Sequence, residues 1–335
     1  MQRLLELLLD FACSKKASDI HLTSHDDQFD ILLRTDNGFT ELKQDIFDHR
    51  LIEYLKFVSG MDLCSPHKPQ SGSFRVTGKR EYSCRFALLS SGDLTTGVIR
   101  LLNTAADLCI EDLTRSGKSV SYLKQMTFQE HGLIISAGPT GSGKTTTLHA
   151  ILHEMALRKD RKIVSLEDPV EIRDPNYTQL EINEAQGFSY ERGIEELMRH
   201  DPDVILIGEC RSAFSAKMAV RAALTGHLVF TTLHSGTAEE AIRRMLEFGV
   251  DEKDLSSILQ AVFAQRLYRS AGQDSEQKGP PASRTGKECI YERWKRNDIE
   301  NYFKNRNFDS RPQSLQEEIE SAVQNGWIEK PVYIE

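Results

Sequence analysis

The stretch LIISAGPTGSGKTTTLHAIL, residues 133–152, decides the fold. A short aliphatic run, LIISA, leads into GPTGSGKT (138–145), a G-x-x-x-x-G-K-[ST] loop, and a helix-forming run follows. Strand, Gly-rich loop and helix in that order are the context this phosphate-binding motif requires. Gly138, Gly141 and Gly143 allow backbone N–H groups to turn inward around phosphate oxygens. The helix start adds partial positive charge at the same place. Lys144 is spaced to reach the β- and γ-phosphates of a nucleotide, and Thr145 to offer its hydroxyl to Mg²⁺. Pro139, Thr140, Ser142 and Thr146 complete the set expected around the nucleotide.

Downstream of this stretch, short aliphatic runs alternate with helical ones: KIVSLED, GIEELMRH, DVILIG, AKMAVRAAL, HLVFTTLH, AEEAIRRMLEFG. Such alternation predicts a mainly parallel sheet with helices on its faces. Upstream the texture differs. Residues 2–16 and 51–61 have helical spacing, 29–42 read as two strands around Asn37-Gly38, and 72–103 alternate like antiparallel strands. The expected organisation is an α+β domain over 1–105, a polar linker at 106–127, the α/β domain over 128–270, and a loop and small helical tail over 271–335, with 270–287 loose.

Two more strand ends carry acids. KIVSLEDPVEI (162–172) places Glu167 and Asp168 at the end of a strand, with Pro169 stopping its continuation. Alone, that pair reads equally as a solvated turn. Beside a nucleotide site, a carboxylate at a strand's C-terminal end stands where α/β ligands bind, and it can orient an attacking water. DPDVILIGECRS (201–212) ends four aliphatic residues in Gly208 and Glu209, a Walker-B-like strand whose acid suits the Mg²⁺ and water environment. TGHLVFTTLHS (225–235) brings His227 and His234, candidates for sensing the γ-phosphate or the water network and too far apart for a tight metal pair.

Composition sets the bounds. A net charge of −8 over 335 residues argues against a protein that mainly grips nucleic acid. The six cysteines are scattered with no C-x-x-C pair, which predicts reduced thiols, no disulfide framework and no zinc site. The apolar start LLELLLDFAC is interrupted by Glu6 and Asp10 and reads as a surface helix. No window approaches the ~18 apolar residues of a membrane span, so membrane association is expected through a partner.

Together these motifs resemble the secretion traffic ATPases, the motors of type II secretion, type IV pili and DNA-uptake pseudopili, over roughly residues 15–270. ASDIHL (17–22) is similar to the opening of their N-terminal domain. GPTGSGKTTTL is similar to their Walker A, SLEDPVEI to their Asp box, RHDPDVILIGE to their Walker B, ALTGHLVFTTLHS to their His box and AQRLYR (264–269) to their Q-R-L segment. The resemblance implies a PAS-like N-terminal domain followed by a RecA-like P-loop ATPase domain, a ring hexamer, and ATP with Mg²⁺ as ligands. It assigns Lys144 and Thr145 to phosphates and Mg²⁺, Glu167 to water activation, Glu209 to the Mg²⁺ shell, and His234 with His227 to γ-phosphate sensing. It also implies that arginines of the N-terminal domain bring positive charge to the site, with Arg75, Arg85 and Arg100 as candidates.

The chain departs from the family at Ser212 and Phe214, where acids are usual, and it shows neither the four-cysteine zinc element nor the retraction-type A-I-R-N-L-I-R helix. Within the family it therefore resembles the competence pseudopilus motors of Gram-positive bacteria. A cytoplasmic protein is expected, held at the membrane face by a polytopic inner-membrane platform protein. Retraction and type II secretion motors are the alternatives. A RecA-like nucleic-acid motor is disfavoured by the acidic balance, and a nucleotide-gated scaffold by the intact Glu167 and Glu209.

Overall fold

The computed structural model describes all residues except 16, 26–27, 36–37, 43–45, 64–68, 79–80, 105–108, 184–186, 272–285, 306–311 and 330–335. The chain divides into two compact units, Met1–Thr104 and Ala105–Glu335.

The first unit runs α1 (Gln2–Ser14), β1 (Asp19–His25), β2 (Gln28–Thr35), β3 (Gly38–Glu41), α2 (Arg50–Val58), β4 (Gln70–Thr77), β5 (Glu81–Ser91) and β6 (Leu94–Thr104). Its strands lie in the order β3-β2-β1-β6-β5-β4, every neighbouring pair antiparallel. One face is apolar. Ile20, Leu22, Ile31, Leu33, Phe74, Val76, Phe86, Leu88 and Ile99 bury against Leu5, Leu8 and Leu9 of α1 and Leu51, Ile52 and Leu55 of α2. Period-two alternation along the strands produces this one-sided core. The expected hairpin is present as β2 and β3, although Asn37 lies outside the described residues.

The second unit begins with a 3₁₀ turn (Ile110–Asp112) and α3 (Gly117–Met126). The region read as a linker is therefore largely structured: Ile110, Tyr122, Leu123 and Met126 are buried in this unit's core. Its exposed lysines and serines give the stretch its polar look, while positions 119, 122, 123 and 126 form a buried helical stripe. There follow β7 (Gly132–Ala137), α4 (Lys144–Ala156), β8 (Ile163–Glu167), β9 (Ile172–Arg173), β10 (Thr178–Glu181), α5 (Tyr190–Leu197), β11 (Val204–Ile207), α6 (Ala213–Leu224), β12 (Leu228–Leu233), α7 (Ala238–Glu247), α8 (Glu252–Ile258) and β13 (Leu259–Arg269). The chain then adds β14 (Lys287–Lys295), α9 (Arg296–Asn305) and α10 (Leu315–Gln324).

The second sheet has the order β10-β8-β11-β12-β7-β13-β14 and is parallel up to the last pair, β13 with β14, which is antiparallel. Every residue of β7, β8, β11 and β12 is buried. That follows from helices on both faces. Ile135, Val164, Ile205 and Val229 face α5 to α8, while Ile134, Ile163, Val204 and Phe230 face α3 and α4. The sheet also continues past residue 270. Cys289, Ile290 and Tyr291 of β14 are buried, and α10 packs Leu315, Ile319 and Ala322 against Ile290. The stretch expected to be loose falls largely on 272–285, outside the described residues.

Candidate active site

The parallel register sets the acids side by side. Ile207 pairs with Leu166, and the Gly208 N–H donates to the Leu166 carbonyl at 2.9 Å. A side chain at Gly208 would press on that carbonyl, with Cβ only 3.1 Å from it, so glycine permits the close approach. Glu167 with Asp168 and Glu209 then leave neighbouring strand ends on the same edge as the loop after β7. They line one cleft of about 290 Å³ together with Thr140, Gly141, Lys144, Thr145, Arg211 and His234. Ligands of open α/β sheets bind at this carboxyl edge.

The loop is built to hold an anion. Gly143 begins α4 in the left-handed region, at φ +88°, a conformation glycine adopts without a Cβ penalty. Gly143 supplies no capping side chain, so the first N–H groups of α4 lack a side-chain acceptor. Six other helices of this unit (α3, α5, α6, α7, α8 and α10) each carry a Ser, Thr or Asp cap. The uncapped start of α4 fits a phosphate. Lys144 is 8% exposed, and its Nζ donates to the carbonyls of Gly138 at 2.8 Å and Pro139 at 3.0 Å. Burial lowers its pKa, and the nearby Glu209 charge opposes that shift. The amine is thus folded back onto its own loop. Gly138, Pro139, Ser142, Gly143 and Thr146 belong to the loop and helix start but do not line the cleft.

Gln265, the glutamine of the Q-R-L segment, is fully buried beneath the loop. Its Nε2 donates to the Ser142 carbonyl at 2.7 Å, and its Oε1 accepts from Ser136 Oγ at 3.4 Å. It ties the loop to β13 and β7.

The two carboxylates live in different surroundings. Glu167 is 3% exposed. Its Oε1 accepts from Ser165 Oγ at 2.6 Å and Gln179 Nε2 at 3.3 Å, and its Oε2 lies 3.0 Å from His149 Nε2. Glu209 is more open. Arg211 Nε donates to its Oε2 at 2.7 Å, and His234 Nε2 lies 3.2 Å from its Oε1. Arg211 also reaches Asp168 Oδ2 at 3.4 Å, which links the two strand ends. The Tyr190 hydroxyl accepts from the Glu209 backbone N–H at 3.0 Å. Cys210 points away into the core, where burial pushes its thiol up to about 11. Ser212, at one of the positions where the chain departs from its family, caps α6 in a reciprocal pair with Ser215. Its hydroxyl accepts from the Ser215 backbone N–H, a capping role an aspartate fills as well.

His227 is a correction. It precedes β12, whereas His234 follows it, so the two stand at opposite ends of a six-residue strand, roughly 20 Å apart. His227 Nδ1 lies 2.9 Å from the Ala222 carbonyl, and the ring lines a separate hollow with Glu130, Asp160 and Asp203. The shared motif hides this because a strand separates its ends by its full length. In the first unit, Arg85 and Arg100 are direct partners on β5 and β6, and Arg100 pairs with Asp19 of β1. Arg100 Nε donates to Asp19 Oδ1 at 2.8 Å. Burial works to raise the Asp19 pKa, but the hydrogen bonds from Arg100 and Ser18 outweigh it and the net shift is downward. Arg75 is exposed on β4.

Sequence reasoning missed His149. It is fully buried on α4, four residues after Thr145 and four before His153. The four-residue spacing of Thr145, His149 and His153, which sets them on one stripe of the helix, was the available signal.

Residues 1–325 match the family model described as type II/IV secretion system protein. The chain belongs to that family. It is 39% identical over 264 residues to the competence protein ComGA of Bacillus subtilis, covering 78% of this chain and 74% of the relative. It is 36% identical over 288 residues to type II secretion system protein E of Aeromonas hydrophila, covering 83% of this chain and 56% of that protein. Among solved structures it matches the pilus retraction motor PilT with bound ADP, at TM-score 0.77 and 25% identity, over 97% of this chain and 94% of that one. The second unit is accordingly the RecA-like P-loop ATPase domain of the family, the first its N-terminal α+β domain, and the chain is an ATPase.

Proposed function

We propose that this ATPase powers assembly of a competence pseudopilus, a type IV pilus-like fibre for DNA uptake. The 39% identity to a competence protein over three quarters of both chains carries the assignment to that branch. The cleft supplies the chemistry. The uncapped α4 start, with Lys144, receives the phosphates of ATP. Thr145 and Glu209 offer the hard oxygen ligands that suit Mg²⁺, which when bound neutralises phosphate charge. Glu167, fixed by three partners, orients the attacking water toward the γ-phosphate. His234 on Glu209 senses whether that phosphate is present.

In this reading the chain works as a homo-hexamer at the cytoplasmic face of the membrane, against a polytopic inner-membrane platform protein and without gripping DNA itself. No helix among the described residues is long and apolar enough to cross a membrane, in keeping with attachment through a partner. The fold match to a retraction motor favours pilus retraction as the second reading. Cells carrying Lys144→Ala separate the two. Loss of both surface pseudopili and DNA uptake is expected for an assembly motor, whereas accumulated fibres would mark a retraction motor.

A further inference from the structure

Behind the cleft runs a buried chain of polar groups that the reading above does not use. Thr145, His149 and His153 lie at i, i+4 and i+8 on α4, along one stripe of the helix. Thr145 lines the cleft, His149 sits against Glu167, and His153 Nδ1 lies 2.6 Å from Asp174 Oδ2. His149 is fully buried, and its Nδ1 meets the hydroxyl of Tyr177. The Tyr177 ring stacks on the imidazole with centroids 6.2 Å apart.

The partners fix the tautomer. A carboxylate only accepts, so the hydrogen bond to Glu167 Oε2 requires a proton on Nε2. With that proton on Nε2, a neutral imidazole has only a lone pair on Nδ1, to which the Tyr177 hydroxyl can donate. Burial, with Glu167 and Asp174 nearby, raises the Tyr177 pKa and keeps that hydroxyl protonated. The direction of donation runs from Tyr177 to His149 to Glu167, and Ser165 and Gln179 hold the other carboxylate oxygen.

We propose that His149 is a positioning residue for hydrolysis: it fixes the Glu167 carboxylate toward the cleft and ties it rigidly to the helix that presents the phosphate loop. The inference rests on Glu167 being the carboxylate that orients water. The helix stripe explains why a histidine is useful there. A donor one turn below Thr145 locks the base to the phosphate site through a single rigid element, so that both keep one geometry. Misplacing a reacting group by about 1 Å can cost on the order of 10²-fold in rate.

The test is steady-state ATP hydrolysis by purified full-length His149→Leu, His149→Gln and Glu167→Gln proteins. His149→Leu is expected to lower kcat by about 10- to 100-fold with KM within about twofold of wild type. His149→Gln, which can place an amide N–H near the Nε2 position, is expected to restore most of that kcat. A merely structural histidine would give no such split between kcat and KM and no such rescue. Wild-type kcat in folded His149→Leu, with Glu167→Gln inactive, overturns the inference and leaves Glu167's role intact. Wild-type kcat in Glu167→Gln overturns the role of Glu167 itself. If His149→Leu does not fold, His149→Asn, which keeps a polar group near the Nδ1 position facing Tyr177 but withdraws the donor from Glu167, takes its place under the same outcomes.

Discussion

Glu167 and Glu209 end neighbouring parallel strands, yet they are held in opposite ways. Glu167 is buried and held by three donors, His149, Ser165 and Gln179, all within its own unit. Glu209 is one-fifth exposed and is flanked by Arg211 and His234, which are 62% and 45% exposed. Buried, fully partnered groups have one geometry, because leaving any partner unmade costs about 1–3 kcal/mol. Surface ion pairs are worth little and rearrange readily. The difference divides the labour. The buried acid is suited to aiming a water molecule, and the open acid to exchanging Arg211 and His234 for a ligand that arrives and leaves.

Four substitutions break or sharpen this contrast. Lys144→Ala removes the anchor that both acids depend on and is expected to reduce hydrolysis by at least about 10³-fold, checked by phosphate release under saturating ATP. Glu209→Gln keeps the hydrogen-bonding shape but drops the charge. It is expected to slow turnover by about 10- to 100-fold while a fluorescent ATP analogue still binds, and wild-type turnover would remove Glu209 from the site. Gln265→Ala leaves the Ser142 carbonyl and Ser136 hydroxyl without their partner. It is expected to cost about 1–2 kcal/mol in thermal stability and a few-fold in ATP affinity, both readable by melting with and without nucleotide. His227→Ala, at the far end of β12, is expected to change kcat and KM by less than about twofold. A large loss of kcat there would return His227 to the site.

Much of this was legible in the sequence because local backbone rules write it there. The loop 138–145, the strand ends at Glu167 and Glu209 and the alternation of aliphatic and helical runs each depend on a few consecutive residues. What failed to show depends on distance. Gln265 lies 123 residues from the carbonyl it holds, and His149 lies 18 from Glu167. His227 misled for the complementary reason, since nearness in sequence across a strand becomes separation in space. The region read as a linker misled because Lys118, Ser121 and Lys124 on the outer side of α3 give it a polar composition that hides the buried stripe docking it. The antiparallel strand β14 went unread because residues 272–285, which separate it from β13, break the strand–helix rhythm that identified the rest of the sheet.

The central claim is that a fixed, buried Glu167 orients the water while the loop and Glu209 hold the nucleotide. The most direct measurement is single-turnover ATP cleavage by purified Glu167→Gln beside its ATP affinity. The account predicts affinity within about threefold of wild type and cleavage slowed by about 10²- to 10⁴-fold. Cleavage at the wild-type rate with ATP bound normally would contradict it.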